Sequence, residues 1–125
     1  MTNVVTRHGR RFLIADDNHD GADSLAMLLR LQGCEVETAY DGDDAVTAFI
    51  RARADVVLLD IGMPKRTGHE VCRAIRELPG GVAAVIIAVT GRSQPQDRQR
   101  SQESGFDAHL VKPVDHAMLR KLCHV

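Results

Sequence analysis

Aromatic residues are nearly missing from this chain of 125 residues, which has no Trp, one Tyr and three Phe. A site that grips a flat ring by stacking has little to build with. Cysteine is also sparse. Cys34, Cys72 and Cys123 are widely spaced, and no CxxC occurs. That argues against a disulfide framework or a structural zinc site and for free thiols in a reducing cytoplasm. The six histidines show no HExxH or other ligand spacing. No apolar run approaches the roughly 20 residues that span a membrane. The first segment, with Arg7, Arg10 and Arg11, lacks the apolar stretch of a signal peptide. Neither sign of charge dominates: sixteen basic and seventeen acidic residues leave a net charge of −1. A general field for nucleic acid or an anionic membrane is therefore absent. A cytoplasmic protein is expected, with neither nucleic acid nor membrane as partner.

What is present is a regular alternation. Short runs rich in β-branched residues or Leu occur at Phe12–Ala15, Val36–Ala39, Val56–Leu59 and Val85–Val89, with a weaker one at His109–Val111. Glu35 and Glu37 in the second suit an edge strand. The third and fourth are almost continuously apolar, as strands covered on both faces are. Helical period links them. Leu25, Leu28 and Leu29 share a face before a Gly33 stop, and Asp41 or Asp43 can cap a helix carrying Ala45, Ala48 and Phe49. Val71, Ala74, Ile75 and Leu78 form a third stripe ended by Pro79-Gly80-Gly81. Asp115 can cap a last helix burying Met118, Leu119 and Leu122. Between Ser93 and Ser104 only Pro95 is apolar, so a helix there would be weakly held. Residues 1–10 read as a tail and 11–125 as one domain. The fold expected is α/β: a flavodoxin-like (βα)5 doubly wound parallel sheet with strand order 2-1-3-4-5.

In such a fold, chemistry gathers at the carboxyl ends of the strands. The first strand runs into Asp16-Asp17 and the third into Asp60; the fourth runs into Thr90 and the fifth into Lys112-Pro113. Neighbouring strands lie about 4.8 Å apart, so these groups can meet at one mouth. Three carboxylates there repel one another, and a hard divalent cation such as Mg²⁺ relieves the repulsion. Alone, each residue is unremarkable: an Asp after a strand often only caps a helix, Thr90 fits a strand, and Lys112 fits solvent. All of them at successive strand ends fit phosphoryl transfer to a carboxylate, with Asp60 as nucleophile and Thr90 and Lys112 contacting the phosphoryl oxygens.

Asp16-Asp17, Asp60 within LLDIGMP, Gly68, Val89-Thr90-Gly91 and Lys112-Pro113 resemble the signature of response-regulator receiver domains over residues 11 to 123. ADDNHDGADSLAMLL and GFDAHLVKPVD are similar to receiver modules of hybrid histidine kinases. The resemblance implies Asp60 as phosphoacceptor in a two-component phosphorelay. It also implies a Mg²⁺ site made by Asp16, Asp17, Asp60 and the backbone carbonyl of Gly62. Asp17 is the stronger expected ligand, and Asp16 is expected to act often through water. Thr90 and His109 are the implied switch, His109 standing where the family commonly has Tyr or Phe. The implied partners are a sensor histidine kinase or histidine phosphotransfer domain, and a downstream protein bound through the 93–125 surface. Two other readings fit these residues less well. A flavin site would need a phosphate-cradling loop where Asp16-Asp17-Asn18 stands, and aromatic stacking beyond Tyr40. A phosphorylation-independent interaction module on the same fold would not need the acidic set, Thr90 and Lys112.

Overall fold

The computed structural model describes residues 10–63, 65–91, 105–112, 114, 117, 118 and 121. The order is β1 (Arg11–Ala15), α1 (His19–Leu31), β2 (Glu35–Ala39), α2 (Gly42–Ala52), β3 (Val56–Asp60), α3 (Gly68–Arg76), β4 (Val85–Thr90) and β5 (Ala108–Val111). The five strands form one sheet in the order β2-β1-β3-β4-β5, and every pairing is parallel. β2, with its two Glu residues, is an edge strand. Of the remaining helical expectations, the one at Ser93–Ser104 lies outside the described residues, as does the Asp115 cap. Near the carboxyl end, Ala117, Met118 and Lys121 are helical.

Strand alternation divides the core into two layers. Leu13, Ala15, Val57, Leu59, Ile86 and Ala88 point to the side covered by α2 and α3, where they meet Phe49, Val71 and Ile75. Phe12, Ile14, Val56, Leu58, Ile87 and Val89 point to the α1 side, against Ala22, Ala26 and Leu29. Both faces of β3 and β4 are covered, which explains their unbroken apolar runs. Cys34 and Cys72 are buried and form no disulfide, and burial pushes the Cys72 thiol up to about 11.

Local rules set the helix ends. The Asn18 side chain accepts the Gly21 N–H at 3.0 Å, and Asp41, rather than Asp43, caps α2 by accepting the Asp44 N–H at 2.8 Å. Thr67 and Glu70 form a capping box on α3. Two sequence expectations shift. The buried stripe of α1 is Ala22, Ala26 and Leu29, while Leu28 is 36% exposed. Alanines at the contact let the helix lie close to the sheet, and Leu28 is rotated off that line. α3 stops at Arg76, short of Leu78, because Pro79 disfavours helical geometry in the residue before it; Leu78 still packs on the core as a half-buried side chain.

Arg76 joins three segments. Its guanidinium donates to the Gly81 and Ala84 carbonyls, both at 2.7 Å, to the Gly105 carbonyl at 2.6 Å and to the Asp107 carboxylate at 2.8 Å. Asp107 in turn accepts the Ile86 N–H at 2.8 Å. The end of α3, the turn into β4 and the entry to β5 thus share one cation. Arg76→Met keeps the stem but leaves these carbonyls unmatched. It should cost about 1.5–3 kcal/mol, the range for hydrogen bonds to a charged group, read as a lower urea midpoint. A midpoint matching the parent's would mean the three segments hold without it.

Candidate functional site

The same alternation that builds the core aims the acidic groups. Asp60 is the last residue of β3 and continues the Val56, Leu58 face. Asp16 follows β1 and continues the Phe12, Ile14 face. Ala15 is in register with Leu59, so Asp16 stands opposite Asp60. The Asp16 N–H donates to the Ala39 carbonyl at 3.0 Å, extending the ladder one residue past the strand. Asp17 takes the next direction and lies in solvent. Asp16, Asp17 and Asp60 nevertheless each offer a carboxylate oxygen, all within 4.8 Å of one another. At that spacing and an effective dielectric near 20, each ionised pair repels by roughly 3–4 kcal/mol.

One cation answers part of this. Lys112 Nζ lies 2.8 Å from Asp16 Oδ2 and 3.7 Å from Asp60 Oδ2. It is brought there from beyond β5, where its N–H donates to the Thr90 carbonyl at 2.8 Å. Burial works against the Lys112 charge, but the hydrogen bond to Asp16 and the charges of Asp60, Asp16 and Asp17 outweigh it and raise its pKa. Burial would also raise Asp16, yet hydrogen bonds from Lys112 and from the Asn18 N–H hold it below its ordinary value. Asp60 goes the other way. Burial is the largest cause, joined by the neighbouring Asp16, and it lifts Asp60 from 3.8 to about 6 against the Gly62 N–H and Lys112. Like charges that cannot both ionise cheaply separate in this manner.

Glycine makes room around Asp60. The Gly62 N–H donates to Asp60 Oδ1 at 3.1 Å. A Cβ on Gly68 would sit 2.8 Å from the Asp60 carbonyl oxygen, so α3 starts against the strand end only because this residue has no side chain. The loop carrying Gly62 is tied to α2 by Lys65 with Asp41 at 3.5 Å and Arg66 with Asp43 at 3.1 Å. Gly42 packs on that loop so closely that a Cβ would collide with the Arg66 carbonyl oxygen.

The remaining predicted residues sit nearby on the sheet. Thr90 ends β4 in register with Val111. His109 pairs with Ala88 and so shares the α3-facing side, where Thr90 lies two residues further along the strand. A cleft of about 300 Å³ opens on the α1 side between Asp16, Asp60, Lys112, Leu25, Leu28 and Val114. Sequence reasoning overlooked two contributions. One is the Gly62 N–H, which no sequence pattern directs at Asp60. The other is Asn18, which caps α1 and also fixes Asp16 through its N–H. An Asn just before a helical run is a legible cap signal, but its bond to Asp16 needs the folded turn.

Comparison with known proteins agrees with this geometry. The response regulator receiver domain family matches residues 12–124. The transcriptional regulatory protein DltR of Streptococcus agalactiae is 35% identical over 105 residues, covering 84% of this chain and 46% of DltR, so the chain spans about half the length of that relative. The chemotaxis protein CheY4 of Vibrio cholerae superposes with a TM-score of 0.85 at 32% identity, covering 90% of this chain and 93% of that one. The receiver domain of the sensor histidine kinase PA1611 from Pseudomonas aeruginosa gives 0.82 at 30% identity, over 92% and 94% of the two chains, and has a magnesium ion coordinated in its active-site cleft. The chain belongs to the response regulator receiver family and is a phosphoacceptor module of two-component signalling. Among the described residues no helix is long and apolar enough to cross a membrane.

The acidic set fits a divalent cation by its own chemistry: hard oxygen donors, close spacing and a raised Asp60. The raised pKa also sets a sign. Between about pH 4 and 6 the folded state holds a proton on Asp60 that the unfolded state has lost, so this group's contribution to stability falls as pH rises through that window. Asp60→Asn should therefore be more stable than the parent at pH 7.5 without metal, by about 1–2 kcal/mol after allowance for solvent screening. The difference should shrink toward pH 4. Urea titrations at the two pH values check this, and a constant difference would mean that Asp60 is not strained by ionisation.

Proposed function

We propose that Asp60 accepts a phosphoryl group from a phosphohistidine in a cytoplasmic histidine kinase or phosphotransfer domain, in a Mg²⁺-dependent reaction. The observation that carries this reading is the convergence of Asp16, Asp17 and Asp60 within 4.8 Å around a strand end that Lys112 reaches from β5. Asp60 Oδ1 is oriented by the Gly62 N–H, which leaves Oδ2, 3.7 Å from Lys112 Nζ, as the nucleophilic oxygen. Asp60 forms the new O–P bond as the P–N bond to the donor imidazole breaks, and the imidazole leaves with the electron pair. Lys112 neutralises a phosphoryl oxygen, and the Thr90 hydroxyl donates to another. Asp16, Asp17, Asp60 and the Gly62 carbonyl would hold Mg²⁺, which supplies charge neutralisation when bound.

The donor histidine must come in over the cleft. Its α1 wall continues outward into Met27 and Leu31, 62% and 76% exposed, an apolar edge suited to a partner helix. After transfer, Thr90 is drawn toward the phosphoryl group, and the space freed on the α3-facing side of the sheet lets His109 move. The readout surface is assigned to residues 93–125, because the near absence of apolar side chains between Ser93 and Ser104 suits an element of low local stability. A coupling of about 1–3 kcal/mol is enough to change a partner's affinity measurably. A phosphorylation-independent module leaves the acidic cluster and Lys112 without a role.

Treatment with acetyl phosphate and Mg²⁺ should add one phosphoryl group by intact mass. Asp60→Asn should fold and stay unlabelled, Asp17→Ala should lose metal-dependent labelling, and EDTA should abolish labelling of the parent. Labelling of Asp60→Asn, or equal labelling in EDTA, would falsify the assignment. With beryllofluoride and Mg²⁺ as a phosphoryl mimic, hydrogen exchange should change across residues 94–104. A change confined to α1 would put the output on the other face.

A further inference from the structure

The end of the sheet away from the acidic cluster holds a larger cleft, of about 790 Å³. Arg10, Asp55 and Val85, at the amino-terminal ends of β1, β3 and β4, line it together with Phe49, Ile50 and Arg53 from the last turn and C-cap of α2. Phe49 is buried, but Ile50 is 58% exposed, and Val82 in the neighbouring turn is 83% exposed. Ile50 thus places a large apolar side chain in solvent on the wall of a concave surface.

Charge says what kind of partner fits. Asp55 is already engaged: its Oδ2 accepts the Arg11 N–H at 3.0 Å and lies 3.9 Å from Arg11 Nε. Among the described residues, neither Arg10 nor Arg53 has a carboxylate within ion-pairing distance. Two guanidinium groups with unspent forks therefore border an apolar hollow. Arg53 is also in the left-handed region, with φ 51, a conformation that Gly adopts without strain and side chains do not. The fold keeps a large cation where the backbone favours none.

We propose that this groove docks a segment of a partner protein that presents an apolar side chain flanked by Asp or Glu. The apolar group would seat against Ile50 and the Pro79–Ala84 turn, and the carboxylates would pair bidentately with Arg10 and Arg53. The chain's own first nine residues are a poor occupant, since they carry Arg7 and His8 and no acidic residue. A strand of five residues, about 17 Å, separates the groove from Asp60, so its use does not depend on the phosphoryl-transfer reading.

The test is a random dodecapeptide phage library panned against the full chain, the selected peptides then being measured on Arg53→Gly. Glycine suits the φ of this residue, so that variant should melt at or above the parent temperature, and any loss of binding is not a loss of folding. Enriched peptides should combine an apolar residue with Asp or Glu. Made synthetically, they should shift the amide resonances of Ile50, Arg53 and Ala83. They should bind Arg53→Gly and Arg10→Gln at least tenfold more weakly, and Asp60→Asn as tightly as the parent. No enrichment, a consensus without carboxylates, or binding indifferent to Arg53 overturns the proposal. Self-association in sedimentation equilibrium that Ile50→Asp abolishes would identify a second copy as the occupant instead. Peptide binding that appears only after removal of residues 1–9 would identify the chain's own tail.

Discussion

Repulsion among Asp16, Asp17 and Asp60 is the constraint around which the carboxyl end of the sheet is arranged. Left alone, the three groups would push the ends of β1 and β3 apart. The fold opposes this with covalent and packed geometry: Leu13, Ile14, Val57 and Leu58 are fully buried or nearly so and hold the two strands in register up to Asp60. Lys112 offsets part of the charge, and burial leaves Asp60 as the group that yields, with its pKa raised to about 6. An unfavourable arrangement held by a stable scaffold is what a cation can relieve. Binding energy is then available for a change of state.

The support around Asp60 is largely backbone. Gly62 supplies an N–H, Gly68 permits the close start of α3, and Gly42 permits the loop to lie on α2. These contacts depend on missing side chains. The ion pairs Lys65 with Asp41 and Arg66 with Asp43 lie largely in solvent and individually contribute about 0–1 kcal/mol, so the close packing at Gly42 and Gly68 is the stronger restraint. The Arg76 clasp plays a comparable part at the other end of α3, joining the turn before β4 to the entry of β5. β5 brings both His109 and Lys112, so that clasp also fixes the strand carrying the site's cation.

Three faces of one small domain thus carry different duties. The carboxyl ends of the strands hold the charge cluster, and the exposed edge of α1 adjoins the cleft beside it. The opposite end of the sheet presents an apolar groove with two arginines. The sheet separates the last from the first, so the partner proposed for the groove and the donor proposed for the acidic site need not exclude one another.

Most of the architecture was readable from periodicity, because burial on both faces leaves β3 and β4 as continuous apolar runs and burial on one face gives helices their stripes. The acidic residues were legible for a related reason: parallel strands end together, so residues that follow each strand are neighbours in space however far apart in the chain. Sequence could not say which leucines of α1 meet the sheet, since the choice of Ala22, Ala26 and Leu29 depends on how closely the helix approaches. Nor could it order the carboxylates. Asp16 and Asp60 are both half-buried. Their pKa values diverge because Asp16 takes the hydrogen bonds from Lys112 and the Asn18 N–H while Asp60 is left beside the ionised Asp16, an arrangement that exists only once 96 residues of separation between Asp16 and Lys112 have been closed. The groove at the far end was equally hidden. Arg10, Ile50, Arg53 and Val85 follow no common pattern along the chain, and only the packing of α2 against the turn into β4 assembles them into one surface.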